Sequence, residues 1–136
     1  MVNVTHDFAL SLRAVVVGNV KGRRCIIVDD IVSTGTTLQS NVEKLKELGA
    51  ESINAWATHG VFQTSSGAPE RIRNLKDLEY LLISNSIVTK EKLPDNIRQL
   101  NVAPLLAEAV ARSLQHQSIS SILNLEGSLR PERHDG

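Results

Sequence analysis

Short β-branched apolar runs alternate along this chain with longer stretches of helical spacing, and that alternation predicts an α/β fold with a mainly parallel sheet flanked by helices. Cys25-Ile26-Ile27-Val28 is an uninterrupted apolar run with charge on both sides. Such a run suits a strand buried on both faces, and it is expected at the centre of the sheet. Upstream, the apolar residues 14–17 stop at Gly18-Asn19, and Lys21-Gly22 gives a second turn signal, so the entry reads as hairpin-like. Leu38, Val42, Leu45 and Leu48 then recur every three or four positions, predicting a helix over 36–48 that Gly49 stops. A second strand over 53–57 completes a strand–helix–strand unit, expected to be right-handed and parallel. Residues 60–69, rich in Gly, Ser and Thr, read as a loop. A short helix over 71–78 and a strand over 80–83 follow, the strand ending in the polar Ser84-Asn85-Ser86. One more strand is expected near 97–102, and Pro104 opens a helix through Leu105, Leu106, Ala109, Val110 and Leu114. Residues 126–136 are polar and expected to fray.

Composition narrows the class. A length of 136 residues suits one domain, drawn here as 1–125 followed by the tail 126–136. With 41% hydrophobic and 22% charged residues the chain has the make-up of a soluble globular protein, not a disordered or fibrous one. Fifteen basic and fifteen acidic residues cancel to a formal net charge of +0, so no broad field draws the chain to nucleic acid or to an anionic membrane. Any anion must be held locally. Cys25 is the single cysteine, which removes an intrachain disulfide framework and a multi-cysteine metal site and favours a reducing compartment. No apolar run reaches the ~18 residues of a membrane span, and residues 1–12 lack the basic start of a secretory signal, so a cytoplasmic location is expected.

The chemistry concentrates in Val28-Asp29-Asp30-Ile31-Val32-Ser33-Thr34-Gly35-Thr36-Thr37, which joins the buried strand to the first helix. At a helix N-terminus several backbone N–H groups lack an internal partner, and the helix dipole adds positive potential, so a phosphate can be held there without a lysine. Ser33, Thr34, Thr36 and Thr37 add hydroxyl donors. Gly35 permits a turn that a side chain would obstruct and lets a phosphate approach the amides closely. Asp29 and Asp30 fall at the carboxyl end of the strand, the usual ligand position in an open α/β sheet. Two acceptors beside a phosphate nest suit a ribose with adjacent hydroxyls, directly or through hydrated Mg²⁺. A blander alternative has the acidic pair as a solvated strand end and the hydroxyl cluster as a helix cap. A dinucleotide fingerprint and a P-loop would each need residues this loop lacks.

These residues resemble the phosphoribosyl pyrophosphate-binding motif of the phosphoribosyltransferase-type fold. Val17-Gly18-Asn19-Val20, Thr58-His59-Gly60-Val61-Phe62, Ser84-Asn85-Ser86-Ile87 and Val102-Ala103-Pro104-Leu105-Leu106-Ala107-Glu108-Ala109 extend the likeness over about residues 15–123. Together they resemble the carboxyl-terminal half of the ribose-phosphate pyrophosphokinase family, the phosphoribosyl pyrophosphate synthetases. The resemblance implies Mg²⁺-dependent transfer of a diphosphoryl group from ATP to the 1-hydroxyl of ribose 5-phosphate. It implies that Asp29 and Asp30 hold the ribose hydroxyls and that Ser33, Thr34, Gly35, Thr36 and Thr37 hold the 5-phosphate. Many family members have aspartate where Ser33 stands and glycine where Thr36 stands. The family's basic active-site loop should fall near residues 1–8, yet no Lys or Arg precedes Arg13. Polyphosphate transfer relies on cations, so the chain alone is expected to be a poor catalyst, with ATP bound only if the missing half is supplied.

Partners expected from the resemblance are ribose 5-phosphate or phosphoribosyl pyrophosphate, together with further copies of the chain or synthetase subunits. Two other readings remain: a non-catalytic regulatory partner of full-length synthetase, and a phosphoribosyltransferase, which would need a hood for its base. Outside the loop, His59 reads as orienting a loop more readily than as a ligand, Cys25 as core filler, and Trp56 as core or interface.

Overall fold

A computed structural model describes residues 4–5, 15–16, 18–62, 65–89 and 92–123. The chain divides into two compact units, Met1–Leu100 and Asn101–Gly136. In the first, β1 (Val4–Thr5) and β2 (Val15–Val16) pair antiparallel, so the partner of β2 is β1 and not the strand that follows it. The principal sheet holds β3 (Arg24–Val32), β4 (Ser52–Gly60), β5 (Leu78–Ser84) and β6 (Ile97–Leu100) in that order, every neighbouring pair parallel. Helix α1 (Thr36–Glu47) joins β3 to β4, and α2 (Ala68–Arg73) joins β4 to β5. The fold is α/β as expected. The turn before β3 is closed by Gly22 N–H donating to Gly49 O at 2.7 Å and Arg23 N–H donating to Val20 O at 3.0 Å.

The strand order explains the main departure from the sequence reading. Crossovers of one hand that step in one direction across a sheet must all lie on the same face. Leu38, Val42 and Leu45 of α1 and Ile72 of α2 accordingly join Cys25, Ile27, Ile53, Ala55, Ala57, Leu81 and Ile83 in one core cluster on that face. Among the described residues, no helix of the first unit covers the opposite face. Val28, Trp56, Leu82 and Arg98 stand in register across the four strands, with Val28 75% and Trp56 44% exposed. The expectation that β3 is a central strand buried on both faces is therefore corrected: among the described residues it is an edge strand with alternating burial. Trp56 lies on the opposite face, away from the core. On that face Arg98 sits over the Tyr80 ring, 4.2 Å from its centroid.

Helix α1 ends one residue before Leu48, which is its exposed C-cap. Gly49 then takes φ 83°, with Gly49 N–H donating to Lys46 O at 2.9 Å and Ala50 N–H to Leu45 O at 3.0 Å. That pair of bonds is the Schellman arrangement, which satisfies carbonyls the helix end leaves open. Helix α2 begins three residues earlier than its expected start at 71, because Pro69 fits the first turn, where a missing N–H costs nothing. The second unit holds α3 (Ala103–Leu114) and α4 (Ser120–Leu123). No residue of α3 is buried. Among the described residues, no helix is long and apolar enough to cross a membrane. The expected tail at 126–136 lies outside the described residues.

Candidate functional site

Parallel strands bring their carboxyl ends to one edge of the sheet, and the loop after β3 leaves from that edge. The apolar run of β3 passes directly into Asp29 and Asp30, which still belong to the strand. Consecutive strand residues point to opposite faces, so the two carboxylates are not side by side. Asp29 is half-buried and Asp30 exposed, and Asp30 N–H donates to Asp29 Oδ1 at 2.9 Å. Among the described residues, no group of three or more His, Cys, Asp or Glu side chains could hold a metal ion. Asp29 and Asp30 are thus what the loop offers a divalent cation. This fits Mg²⁺, which usually takes one or two carboxylates together with substrate phosphates.

After Val32 the chain bends through Ser33, Thr34 and Gly35, and α1 begins at Thr36. Gly35 is the N-cap, with φ 73° and ψ 1°, so the cap has no side chain to offer. The helix-cap alternative for the hydroxyl cluster is reduced to one long contact, Thr36 N–H to Thr34 Oγ1 at 3.5 Å. The Thr34 and Thr36 hydroxyls instead hydrogen-bond each other at 2.9 Å. Gly35 O accepts from Gln39 N–H at 2.9 Å, closing the first turn, while the amides ahead of it point out of the helix end. No acidic residue occupies the first turn of α1, so no carboxylate of the helix competes for its positive end. Ser33 and Thr37 are half-buried, and Thr34 and Thr36 exposed.

Gly35 takes the glycine-favouring turn expected of it, at φ 73°, but the space a side chain would fill is not on the ligand side. A Cβ there would meet Ile72 Cγ1 at 3.5 Å and Ala68 O at 3.8 Å, which are ordinary contacts on the α2 side. A side chain would not first obstruct a ligand; the left-handed backbone is what excludes it. Helix α2 also reaches the loop through Arg71, whose Nη1 donates to Thr34 O and, at 3.3 Å, to Ser66 O. Nothing in the local sequence marked Arg71, because its partner lies 37 residues earlier.

Along the same edge, His59 Nδ1 and Ser86 Oγ are 2.7 Å apart, and the buried Ser84 donates from Oγ to Thr58 O at 2.6 Å. His59 thus holds a turn, as the sequence suggested. Burial pushes the Cys25 thiol up from its ordinary value, with the nearby Arg23 charge offsetting part of the rise. A buried thiol kept protonated is core filler, not a nucleophile.

Comparison with known proteins bears on this geometry. Residues 12–124 match the family described as the phosphoribosyl synthetase-associated domain. The ribose-phosphate pyrophosphokinase of Vibrio cholerae is 39% identical over 110 residues, covering 79% of this chain and 34% of the relative. That of Brucella melitensis is 41% identical over 111 residues, covering 80% and 35%. The crystal structure of phosphoribosylpyrophosphate synthetase from Mycobacterium smegmatis superposes with a TM-score of 0.70 at 33% identity, over 79% of this chain and 35% of that one. The chain therefore spans about a third of the length of the relatives it matches.

Proposed function

From the premise that this chain belongs to the phosphoribosyl synthetase-associated domain family, we propose that it is the ribose 5-phosphate-binding part of a ribose-phosphate diphosphokinase. The observation that carries this reading is the left-handed Gly35 N-cap at the carboxyl end of β3, set among four hydroxyl residues with no carboxylate in the first helical turn. Such an end presents oriented N–H donors and a positive dipole to a phosphate. Ser33, Thr34, Thr36 and Thr37 supply hydroxyl donors around the amides. A phosphate monoester held there leaves its ribose facing the strand end, where Asp29 and Asp30 are acceptors on opposite sides of the strand and the exposed Asp30 is the one open to the sugar hydroxyls.

Orientation is the chain's own contribution. Binding the 5-phosphate at one point and the ribose hydroxyls at another fixes where the sugar's 1-hydroxyl lies, and that positioning lowers the entropic part of a transfer barrier. Asp30 or Asp29 would hold Mg²⁺ through its bound water, and the cation when bound would neutralise phosphate charge. ATP binding and diphosphoryl transfer belong, in this proposal, to the whole synthetase, of which the chain's match is about a third.

Calorimetric titration with ribose 5-phosphate in the presence of Mg²⁺ tests the reading, with ribose and inorganic phosphate as separate arms. Binding of ribose 5-phosphate in the range of about 1 mM to 1 μM, tighter than either arm, is expected. No difference between ribose 5-phosphate and inorganic phosphate would reduce the site to an anion hole. Formation of AMP from ATP and ribose 5-phosphate, assayed on the same sample, reads the transfer step separately.

A further inference from the structure

Resting on the reading of residues 33–37 as the ribose 5-phosphate loop, we propose that Arg71 is the positioning residue of that loop. Its Nη1 donates to two backbone carbonyls from different strand–helix connections, Thr34 O after β3 and Ser66 O at 3.3 Å after β4. The next residue of α2, Ile72, is fully buried and is what a Cβ on Gly35 would touch. Helix α2 thus holds the Thr34–Gly35 unit twice, by a polar bond to its carbonyl and by an apolar wall behind its α-carbon.

The consequence follows from peptide geometry. Among the described residues no peptide bond is cis, and in a planar trans peptide the C=O and the following N–H point in opposite directions. Fixing the Thr34 carbonyl toward Arg71 therefore aims the Gly35 N–H away from α2. Rotating the same unit the other way would turn a carbonyl oxygen, with its partial negative charge, toward the side an anion approaches. Arg71 prevents that rotation and covers the carbonyl with a cation. Gly35 permits the peptide to turn either way, since glycine enters left- and right-handed regions with similar ease. A residue outside the loop must then choose, and Arg71 is in place to do so. Through Ser66 O the same guanidinium ties the segment after β4 to the phosphate loop, so the two connections are ordered together.

Two variants of the full chain separate positioning from bulk structural support. Arg71→Met keeps the aliphatic stem and removes every donor, whereas Arg71→Lys keeps a cation with three donors that can also serve two carbonyls. With ribose 5-phosphate bound, protection of the Gly35 and Thr36 amides from hydrogen exchange is expected to be at least about tenfold lower in Arg71→Met than in wild type, with the thermal midpoint little changed. Ribose 5-phosphate affinity, measured by calorimetry with Mg²⁺, is expected to fall by about tenfold or more in Arg71→Met and to return to within about threefold of wild type in Arg71→Lys. Wild-type exchange and affinity in Arg71→Met would overturn the inference, as would a Lys variant no better than Met. A wild-type chain that does not bind ribose 5-phosphate would instead overturn the reading of the site.

Discussion

His59 Nδ1 stands 2.7 Å from the Ser86 hydroxyl, joining the end of β4 to the turn that follows β5. The link belongs to a small network. Ser84 Oγ donates to Thr58 O at 2.6 Å and lies 2.8 Å from Ser86 Oγ, and it also accepts from Ser86 N–H at 3.2 Å. Ser84 is 8% exposed, whereas Ser86 is open to solvent. Removing a buried hydroxyl that satisfies a carbonyl costs more than removing one that water can replace. Ser84→Ala is expected to lower stability by about 1–2 kcal/mol and Ser86→Ala by about 0.5 kcal/mol. Neither should move ribose 5-phosphate affinity by more than about twofold, because neither hydroxyl lies in the 33–37 loop. Thermal unfolding with calorimetry checks both, and a large affinity loss in Ser86→Ala would make the His59–Ser86 pair part of the binding site.

Asp30 offers the cleanest test of the acidic pair, since it is exposed and its carboxylate is not needed to hold β3. Asp30→Asn should leave stability within about 0.5 kcal/mol of wild type. Losing a charge-assisted bond to a ribose hydroxyl or a cation costs about 1.5–3 kcal/mol, roughly tenfold or more in affinity. The readout is the dissociation constant for ribose 5-phosphate with Mg²⁺. An unchanged constant removes Asp30 from the site.

For Gly35 the structure predicts a ranking. At φ 73° asparagine is tolerated better than alanine, and alanine better than a β-branched residue. The Cβ itself meets only ordinary contacts at 3.5 Å and beyond, so strain and not overlap sets the cost of alanine. Gly35→Ala should lose about 1 kcal/mol of stability, Gly35→Asn less, and Gly35→Val more than either. Affinity for ribose 5-phosphate should fall in the same order. Equal affinity across the series would mean the loop does not need its left-handed turn to bind.

What the sequence disclosed, and what it hid, divides by range. Elements with strong local periodicity were legible: Leu38, Val42 and Leu45 marked the buried face of α1, and Gly49 marked its end. The hydroxyl-rich turn was legible because Ser33, Thr34, Thr36 and Thr37 cluster around a glycine directly after an apolar strand run. Strand order was not, because an unbroken apolar run such as residues 25–28 looks the same at a sheet edge and at its centre. The placement of α1 and α2 on one face follows from the one-directional order of β3 to β6, a non-local fact. Arg71 was hidden for the same reason: a guanidinium that caps a carbonyl 37 residues away leaves no local pattern. The direction a Gly35 side chain would take was also hidden, since it depends on where α2 packs.

One-sided coverage of the sheet yields a contrast between adjacent residues of a single strand. Ile27 points into the core cluster and is 4% exposed, while Val28 stands on the opposite face at 75% exposure. Truncating a buried isoleucine removes transfer energy and leaves a cavity, costing about 2–5 kcal/mol. Truncating a side chain that is already mostly in water removes little, within about 0.5 kcal/mol. Urea unfolding of Ile27→Ala and Val28→Ala should therefore differ in midpoint, at similar slope, by an amount corresponding to about 2 kcal/mol or more. A strand covered on both faces would make the two losses comparable, as the unbroken run 25–28 first suggested. If Val28→Ala were as damaging as Ile27→Ala in dilute solution, something would have to cover the Val28–Trp56–Leu82–Arg98 row, and the one-sided architecture would fall.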